Sequence, residues 1–242
     1  MTADLFIPCF VDQLYPETAQ SMVKILKHCG LKLNYNSKQT CCGQPSFNSG
    51  YWKESFRLAE KFFRDFSGEN PIVAPSASCV GFIKNFYIEL SESLEFQQKV
   101  FLLKQRLFEL TDFLVNILKI EDLGSTFAHR VTYHDSCSAL REYGIYEEPR
   151  KLLAKVKGLT LVEMPENDVC CGFGGTFSVK NIGISSAMVQ QKVENALSTG
   201  AEYIVSTEAS CLLNIETYIK QQKLPIKAIH IADLLANGLK NG

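Results

Sequence analysis

The sequence lacks a surplus of either charge. Its 25 basic residues are matched by 26 acidic ones, for a formal net charge of −1 at pH 7. Nothing in that average attracts a polyanion, so nucleic-acid binding is not expected. It also lacks any run of about 18 or more apolar residues, so no membrane span is expected. The opening residues, Met1-Thr2-Ala3-Asp4-Leu5-Phe6-Ile7-Pro8, carry no basic region and only a short apolar run. They do not read as a secretory signal, and the expected location is cytoplasmic. Two nucleotide signatures are missing as well. Gly172-Phe173-Gly174-Gly175 fails the dinucleotide pattern, because the third glycine would fall at Phe177, and no P-loop is present. No nucleophile–base pair can be picked out.

What the chain does have is cysteine. Disulfides are rare in a reducing compartment, so nine thiols there point to metal or redox chemistry. An odd count also fits a disulfide framework poorly. The thiols are not scattered. Val169-Cys170-Cys171-Gly172 places two cysteines side by side before a glycine, and Cys41-Cys42-Gly43 does the same about half a chain earlier. Neighbouring side chains on a strand point to opposite faces. Both thiols reach one point only if the backbone turns, which glycine permits.

The likeness extends beyond the tripeptide, as an internal repeat should. Cys9 lies 32 residues before Cys41, and Cys137 lies 33 before Cys170. Cys79 lies 37 residues after Cys42, and Cys211 lies 40 after Cys171. Each of these downstream cysteines closes an Ala-Ser-Cys tripeptide, at Ala77-Ser78-Cys79 and Ala209-Ser210-Cys211. Each half then ends in a similar stretch, Leu110 to Asn116 and Ile231 to Asn237. Eight of the nine cysteines therefore form two sets of four at near-equal spacing. The ninth, Cys29, sits on the apolar side of a helical pattern and is read as core.

Periodicity gives the frame. Short apolar strands are expected at 4–9, 31–35, 71–74, 130–134, 159–164, 203–205 and 225–229, alternating with helical patterns. A long helical stretch is expected from Val80 to about Ile120, with a break near Ser91. Its apolar residues, among them Val100, Phe101, Leu107, Phe113 and Ile117, are read as packing between the halves. The alternation predicts an α/β fold of two pseudo-repeated, doubly wound units with parallel sheets, over 1–122 and 127–242, joined near Leu123-Gly124-Ser125-Thr126. A hydrophobic content of 46% is ample for its core. In each unit the repeated cysteines follow predicted strands. That is the carboxyl edge of a parallel sheet, where such sheets place ligands. Helix amino ends facing the same edge would stabilise an anionic group there.

Four thiols per half suit an iron–sulfur cluster or a tetrahedral zinc site. Zinc ligands usually come in pairs two to four residues apart, whereas these are dispersed, so spacing favours a cluster and leaves zinc open. A redox-active thiol pair without metal is a third possibility. His134 and Arg141 flank Cys137 and are weak candidates for ligating, relaying protons or contacting a carboxylate substrate.

Three segments, Gln39 to Gly50, Cys170 to Lys180 and Ala209 to Ile215, resemble the cysteine-rich CCG domain of iron–sulfur oxidoreductases. That family includes the B component of heterodisulfide reductase and the iron–sulfur subunit of glycolate oxidase. The similarity is closest to its lactate-utilisation branch. The resemblance implies an electron-transfer subunit of a multi-protein system oxidising L-lactate to pyruvate. Its partners would be a ferredoxin-like iron–sulfur B protein and a C protein, with the hydroxy acid met only indirectly. It also implies two ligand sets, Cys9, Cys41, Cys42 and Cys79 in one and Cys137, Cys170, Cys171 and Cys211 in the other. They would hold one or two 4Fe-4S clusters, or zinc in one half. Heterodisulfide-reductase-type domains carry a fifth cysteine three residues before the last. Ser76 and Glu208 stand there instead, which counts against a five-thiolate cluster and against the alternative of a thiol–disulfide redox subunit. A zinc-stabilised scaffold is the remaining alternative.

Overall fold

Short apolar runs bounded by turns form the strands. In the first half these are β1 (Thr2–Leu5), β2 (Lys32–Tyr35), β3 (Ile72–Ala74) and β4 (Leu107–Glu109); in the second, β5 (Arg130–Tyr133), β6 (Thr160–Leu161), β7 (Tyr203–Ser206) and β8 (Lys227–His230). The computed structural model describes residues 1–239, so residues 240–242, within the range expected for the second unit, lie outside it. The strands make two four-stranded sheets, ordered β2-β1-β3-β4 and β6-β5-β7-β8. Every pairing in both is parallel. The expected α/β fold with two pseudo-repeated parallel units is borne out, and the two orders correspond strand for strand.

The first half contributes helices α1 (Cys9–Leu14), α2 (Pro16–His28), α3 (Gln44–Asn48), α4 (Trp52–Asp65), α5 (Ala77–Phe86), α6 (Leu94–Lys104) and α7 (Leu110–Asp112). The second contributes α8 (Glu147–Leu153), α9 (Phe177–Lys180), α10 (Ile182–Ser198), α11 (Ala209–Gln222) and α12 (Ile231–Ala236). Local sequence accounts for several boundaries. Pro16 opens α2, where its missing amide is no loss. Gly30, at φ +78°, turns the chain after that helix. Ser76 caps α5 by accepting a hydrogen bond from the Cys79 amide.

The helical stretch expected over 80–120 breaks near Ser91 as expected, but its second part is not one helix. The whole stretch divides into α5, a 3-10 turn at Tyr87–Leu90, α6, strand β4, α7 and a π turn at Phe113–Ile117. The edge of β3 needs hydrogen-bond partners, and Leu107-Phe108-Glu109 supplies them in parallel register. Tertiary pairing here overrides helical periodicity. Val100, Leu103 and Leu107 pack into the first half's own core, while Leu110, Phe113 and Leu114 join a core shared by both halves. Phe101, at 64% exposure, and Ile117, at 40%, instead face solvent.

Three main clusters fill the interior. The first half's own core is aromatic, built on Phe6, Phe62, Phe66, Phe82 and Tyr87. The second's is aliphatic, built on Val189, Val193, Ile204 and Ile215. The largest cluster joins the halves: Met22, Ile25 and Leu26 of α2 meet Ile231, Leu234 and Leu235 of α12. Buried Thr18 also donates to Asp233 across that contact at 2.7 Å. A second junction lies where α5 meets the π turn Ser138–Tyr143. Gly81 makes this approach possible, since a Cβ there would meet Glu142 Cβ at 3.3 Å.

Glu109, fully buried at the end of β4, caps α7 by accepting from the amides of Thr111 and Asp112. Burial raises its pKa from 4.5 to about 8. The folded state then holds a proton that the unfolded chain releases, so this group's contribution is complete below pH ~4.5 and is lost as pH rises towards 8. Glu109→Gln should flatten that slope and raise stability at pH 8 by a few kcal/mol, on the order of 1.4 kcal/mol per pH unit spanned. Urea titrations at pH 5 and pH 8 measure it. An unchanged difference between the two pH values would remove Glu109 as its source.

Candidate metal centre

In each sheet the first strand in sequence, β1 or β5, lies between its two neighbours, so the chain direction across the sheet reverses beside it. Parallel sheets leave a crevice at such a point, outside the strands' carboxyl ends. Cys9 follows β1, Cys41-Cys42 follows β2 and Cys79 follows β3; Cys137, Cys170-Cys171 and Cys211 repeat this after β5, β6 and β7. All eight line a single cleft of about 240 Å³ at the junction of the halves. The burial repeats too: Cys9, Cys41, Cys137 and Cys170 are half-buried, and Cys42, Cys79, Cys171 and Cys211 are buried. None of the cysteines among the described residues is in a disulfide.

The glycine of each motif turns the chain back on itself. Gly43 has φ +94° and Gly172 φ +83°, values that L side chains rarely adopt. The turn aims each glycine amide at the first thiol of its pair, Gly43 N to Cys41 Sγ and Gly172 N to Cys170 Sγ, both at 3.4 Å. A serine from the second helix after each loop, α4 or α10, fastens it: Ser55 Oγ donates to Gly43 O at 3.2 Å and Ser185 Oγ to Gly172 O at 2.8 Å. The carbonyl of the second cysteine is held by different means in the two halves. Tyr87 Oη donates to Cys42 O, and Asn214 Nδ2 to Cys171 O.

The electrostatics follow from this packing. Cys9 and Cys41 approach to 3.6 Å between sulfurs. Hydrogen bonds from Cys42 and Cys9, with help from the Gly43 amide, hold the Cys41 thiol far below its usual pKa. Cys170 is lowered in the same way by Cys137 and Cys171. Cys9, Cys42, Cys137 and Cys171 are raised, chiefly by their bonds to those neighbours. In each set the first thiol of the pair is thus the most acidic, and its neighbours carry protons that a bound cation would displace. Cys79 and Cys211 sit in the first turns of α5 and α11, whose amino ends carry partial positive charge. Converging sulfur donors, aimed amides and helix ends fit an anionic iron–sulfur group or a thiophilic metal.

The positions of the missing fifth cysteines are occupied purposefully. Ser76 and Glu208 are both buried, and they meet across the junction. Glu208 accepts from Ser78 N at 2.9 Å, from Ser76 Oγ at 3.2 Å and from Ser210 Oγ at 3.0 Å. A carboxylate from the second half thus sits at the amino end of a first-half helix. The other sequence candidates separate. Arg141 is exposed and donates to the Asp168 carbonyl, away from the cleft lining. His134 is fully buried behind the thiols, and one of its ring nitrogens lies with the Cys171 and Cys211 sulfurs within a mutual 4.8 Å. Cys29 packs against the shared core, away from both sets. Sequence reasoning missed Lys192, which has an apolar neighbour on either side of its helical turn but is itself 1% exposed.

The cysteine-rich CCG domain profile matches twice, over residues 3–84 and 131–216. The chain belongs to this cysteine-rich CCG domain family. Among its relatives, Lactate utilization protein A of Oceanobacillus iheyensis is 39% identical over 242 residues, spanning 100% of this chain and 99% of that protein. Lactate utilization protein A 1 of Bacillus mycoides is 42% identical over 243 residues, with 100% and 99% covered. Among solved structures, a hypothetical protein from Helicobacter pylori has the same fold with a TM-score of 0.63 at 12% identity, over 99% of this chain and 49% of that one.

The CCG glycines differ in what they forbid. A Cβ at Gly172 would lie 2.7 Å from the Ser185 carbonyl oxygen, whereas one at Gly175, φ +60°, would meet nothing within 4 Å. Gly175→Ala should therefore cost only the left-handed backbone term, about 1–2 kcal/mol. Gly172→Ala should cost that and roughly 1–3 kcal/mol more for overpacking. Thermal melts of both variants measure the difference, and equal losses would refute the close approach.

Proposed function

We propose that this protein is an iron–sulfur electron-transfer subunit of a multi-protein system that oxidises L-lactate to pyruvate. The observation that carries the reading is the convergence of two equivalent four-thiol sets on one cleft. The relatives named Lactate utilization protein A, matched along their whole length, supply the substrate class. In this reading the units 1–122 and 127–242 each hold one centre, a 4Fe-4S cluster in one or both, with zinc as the alternative in one half. Cys9, Cys41, Cys42 and Cys79 are the first ligand set, and Cys137, Cys170, Cys171 and Cys211 the second. When bound, an iron–sulfur group accepts and passes on single electrons.

The chain's own residues make that possible. The Gly43 and Gly172 amides and the amino ends of α5 and α11 offset the negative charge of gathered thiolates. Buried Cys42, Cys79, Cys171 and Cys211 keep water from the back of the cleft, while the half-buried thiols leave its mouth open to a redox partner. Partners in the system are a ferredoxin-like iron–sulfur B protein and a C protein, assembled in the cytoplasm. No residue of this chain is assigned to the hydroxy acid itself. Its oxidation belongs to the complex. Ser76 and Glu208, in place of further thiols, speak against a disulfide-reducing role.

The test is iron, zinc and acid-labile sulfide content after anaerobic purification, with EPR spectra before and after dithionite. Iron and sulfide in equal amounts with a reducible signal are expected. Zinc without sulfide would turn the reading into a structural scaffold. For the ligands, Cys171→Ser should remove the second unit's metal, about half the total, while Cys29→Ser leaves the content unchanged. Equal losses in both variants would overturn the assignment.

A further inference from the structure

The two thiol sets match residue for residue, but what stands behind them does not. Counting back three from Cys9 and from Cys137 places Phe6 and His134 in equivalent positions. Counting on seven from Ser55 and Ser185, the serines that fasten the two CCG loops, places Phe62 and Lys192 in equivalent positions. In the first half Phe6 and Phe62 pack edge to face, with ring centroids 5.0 Å apart. That wall offers no donor. In the second half the same two places hold an imidazole and an ammonium group, both buried.

The ring of His134 is already oriented. Nδ1 lies 3.3 Å from the Asn167 carbonyl oxygen, and a carbonyl only accepts, so Nδ1 carries the proton. Nε2 is left with a lone pair and has no hydrogen-bond partner among the described residues. A buried acceptor without a partner is rare and destabilising. One ring nitrogen lies with the Sγ atoms of Cys171 and Cys211 within a mutual 4.8 Å. An imidazole that donates through one nitrogen to a backbone carbonyl and offers the other is the usual arrangement of a metal ligand. Lys192 reinforces it. Its Nζ donates to the Asn167 and Glu166 carbonyls, fixing the loop that orients the ring.

We propose that His134 Nε2 is a ligand in the second unit, so that this unit holds a mixed imidazole–thiolate centre while the first holds a thiolate-only one. Cys171, Cys211 and His134 are the deep donors, and one of the half-buried thiols Cys137 and Cys170 completes four. The inference rests on the reading above in requiring that the second unit bind a metal, and it puts His134 in place of one half-buried thiol of that reading's second ligand set; it holds for iron–sulfur or zinc alike. It makes the two centres chemically distinct despite the repeat that supports them.

The experiment uses the anaerobically purified full chain carrying Cys42→Ser, which leaves the second unit's site intact. If zinc is retained, X-ray absorption at its edge should show one nitrogen and three sulfur donors; if an iron–sulfur cluster is retained, one of its irons should carry the nitrogen. His134→Phe, which copies the first half, should cut the retained metal at least several-fold. His134→Cys should restore metal with an all-sulfur shell, and serves if the phenylalanine variant does not fold. Pulsed EPR of an iron-loaded sample should show a directly bound nitrogen that shifts on 15N-histidine labelling. An all-sulfur shell in the protein with His134 present would overturn this inference and leave the proposed function standing. Zinc bound through nitrogen and sulfur without sulfide would support the inference and overturn electron transfer. No retained metal at all would overturn both.

Discussion

Sulfur atoms gathered in contact repel one another once more than one is ionised, and the rest of this structure depends on how that repulsion is met. Bulk water cannot meet it, because half of the eight thiols are buried. The backbone does so instead. A left-handed glycine after each cysteine pair turns one amide towards the first sulfur, and a serine from α4 or α10 holds the turned loop by its carbonyl. The parallel sheets bring three loops and a helix amino end to the same edge. Parallel topology, glycine placement and helix capping are thus parts of one electrostatic arrangement, repeated twice. The thiols also bond to one another, and the first sulfur of each pair is thereby made the most acidic of its set.

The duplication is exact neither in packing nor in charge. One half fills its interior with rings and the other with aliphatic chains. The carbonyl of the second cysteine is tied down by a tyrosine in one half and an asparagine in the other. At the junction the symmetry is broken outright, since Ser76 and Glu208 occupy equivalent places yet bond to each other. A pair of identical residues there would offer two donors or two carboxylates. Serine opposite glutamate offers a donor and an acceptor, and the helix amides of α5 accept the negative charge. The cleft is therefore walled by one buried carboxylate shared between halves.

Much of this is legible in the sequence because it depends on spacing. The four-cysteine repeat, the glycines after each pair and the alternation of strand and helix specify the parallel sheets and put the thiols at their carboxyl edge. The replacement of the fifth cysteines is equally readable at Ser76 and Glu208. What spacing does not carry is contact between halves. The bond from Ser76 to Glu208 joins residues 132 apart. β4 is hidden because Leu107-Phe108-Glu109 continues an apolar helical pattern, and only the open edge of β3 gives it another use. Arg141 looks close to the site from its distance to Cys137, yet the π turn that carries it points it outward. Lys192 gives one signal, its place on the same helical stripe as Val189, Val193 and Ala196, which is easily passed over because a lysine in an amphipathic helix ordinarily belongs to the solvated face.

The contact of α2 with α12 bears on how the molecule is made. The apolar face of α2, with Met22, Ile25 and Leu26, is covered by residues from the far end of the described chain. During synthesis that face stays bare until α12 has left the ribosome. The first half therefore cannot complete its core from its own residues. Its final packing waits on translation of the second, which couples the maturation of the two halves in time.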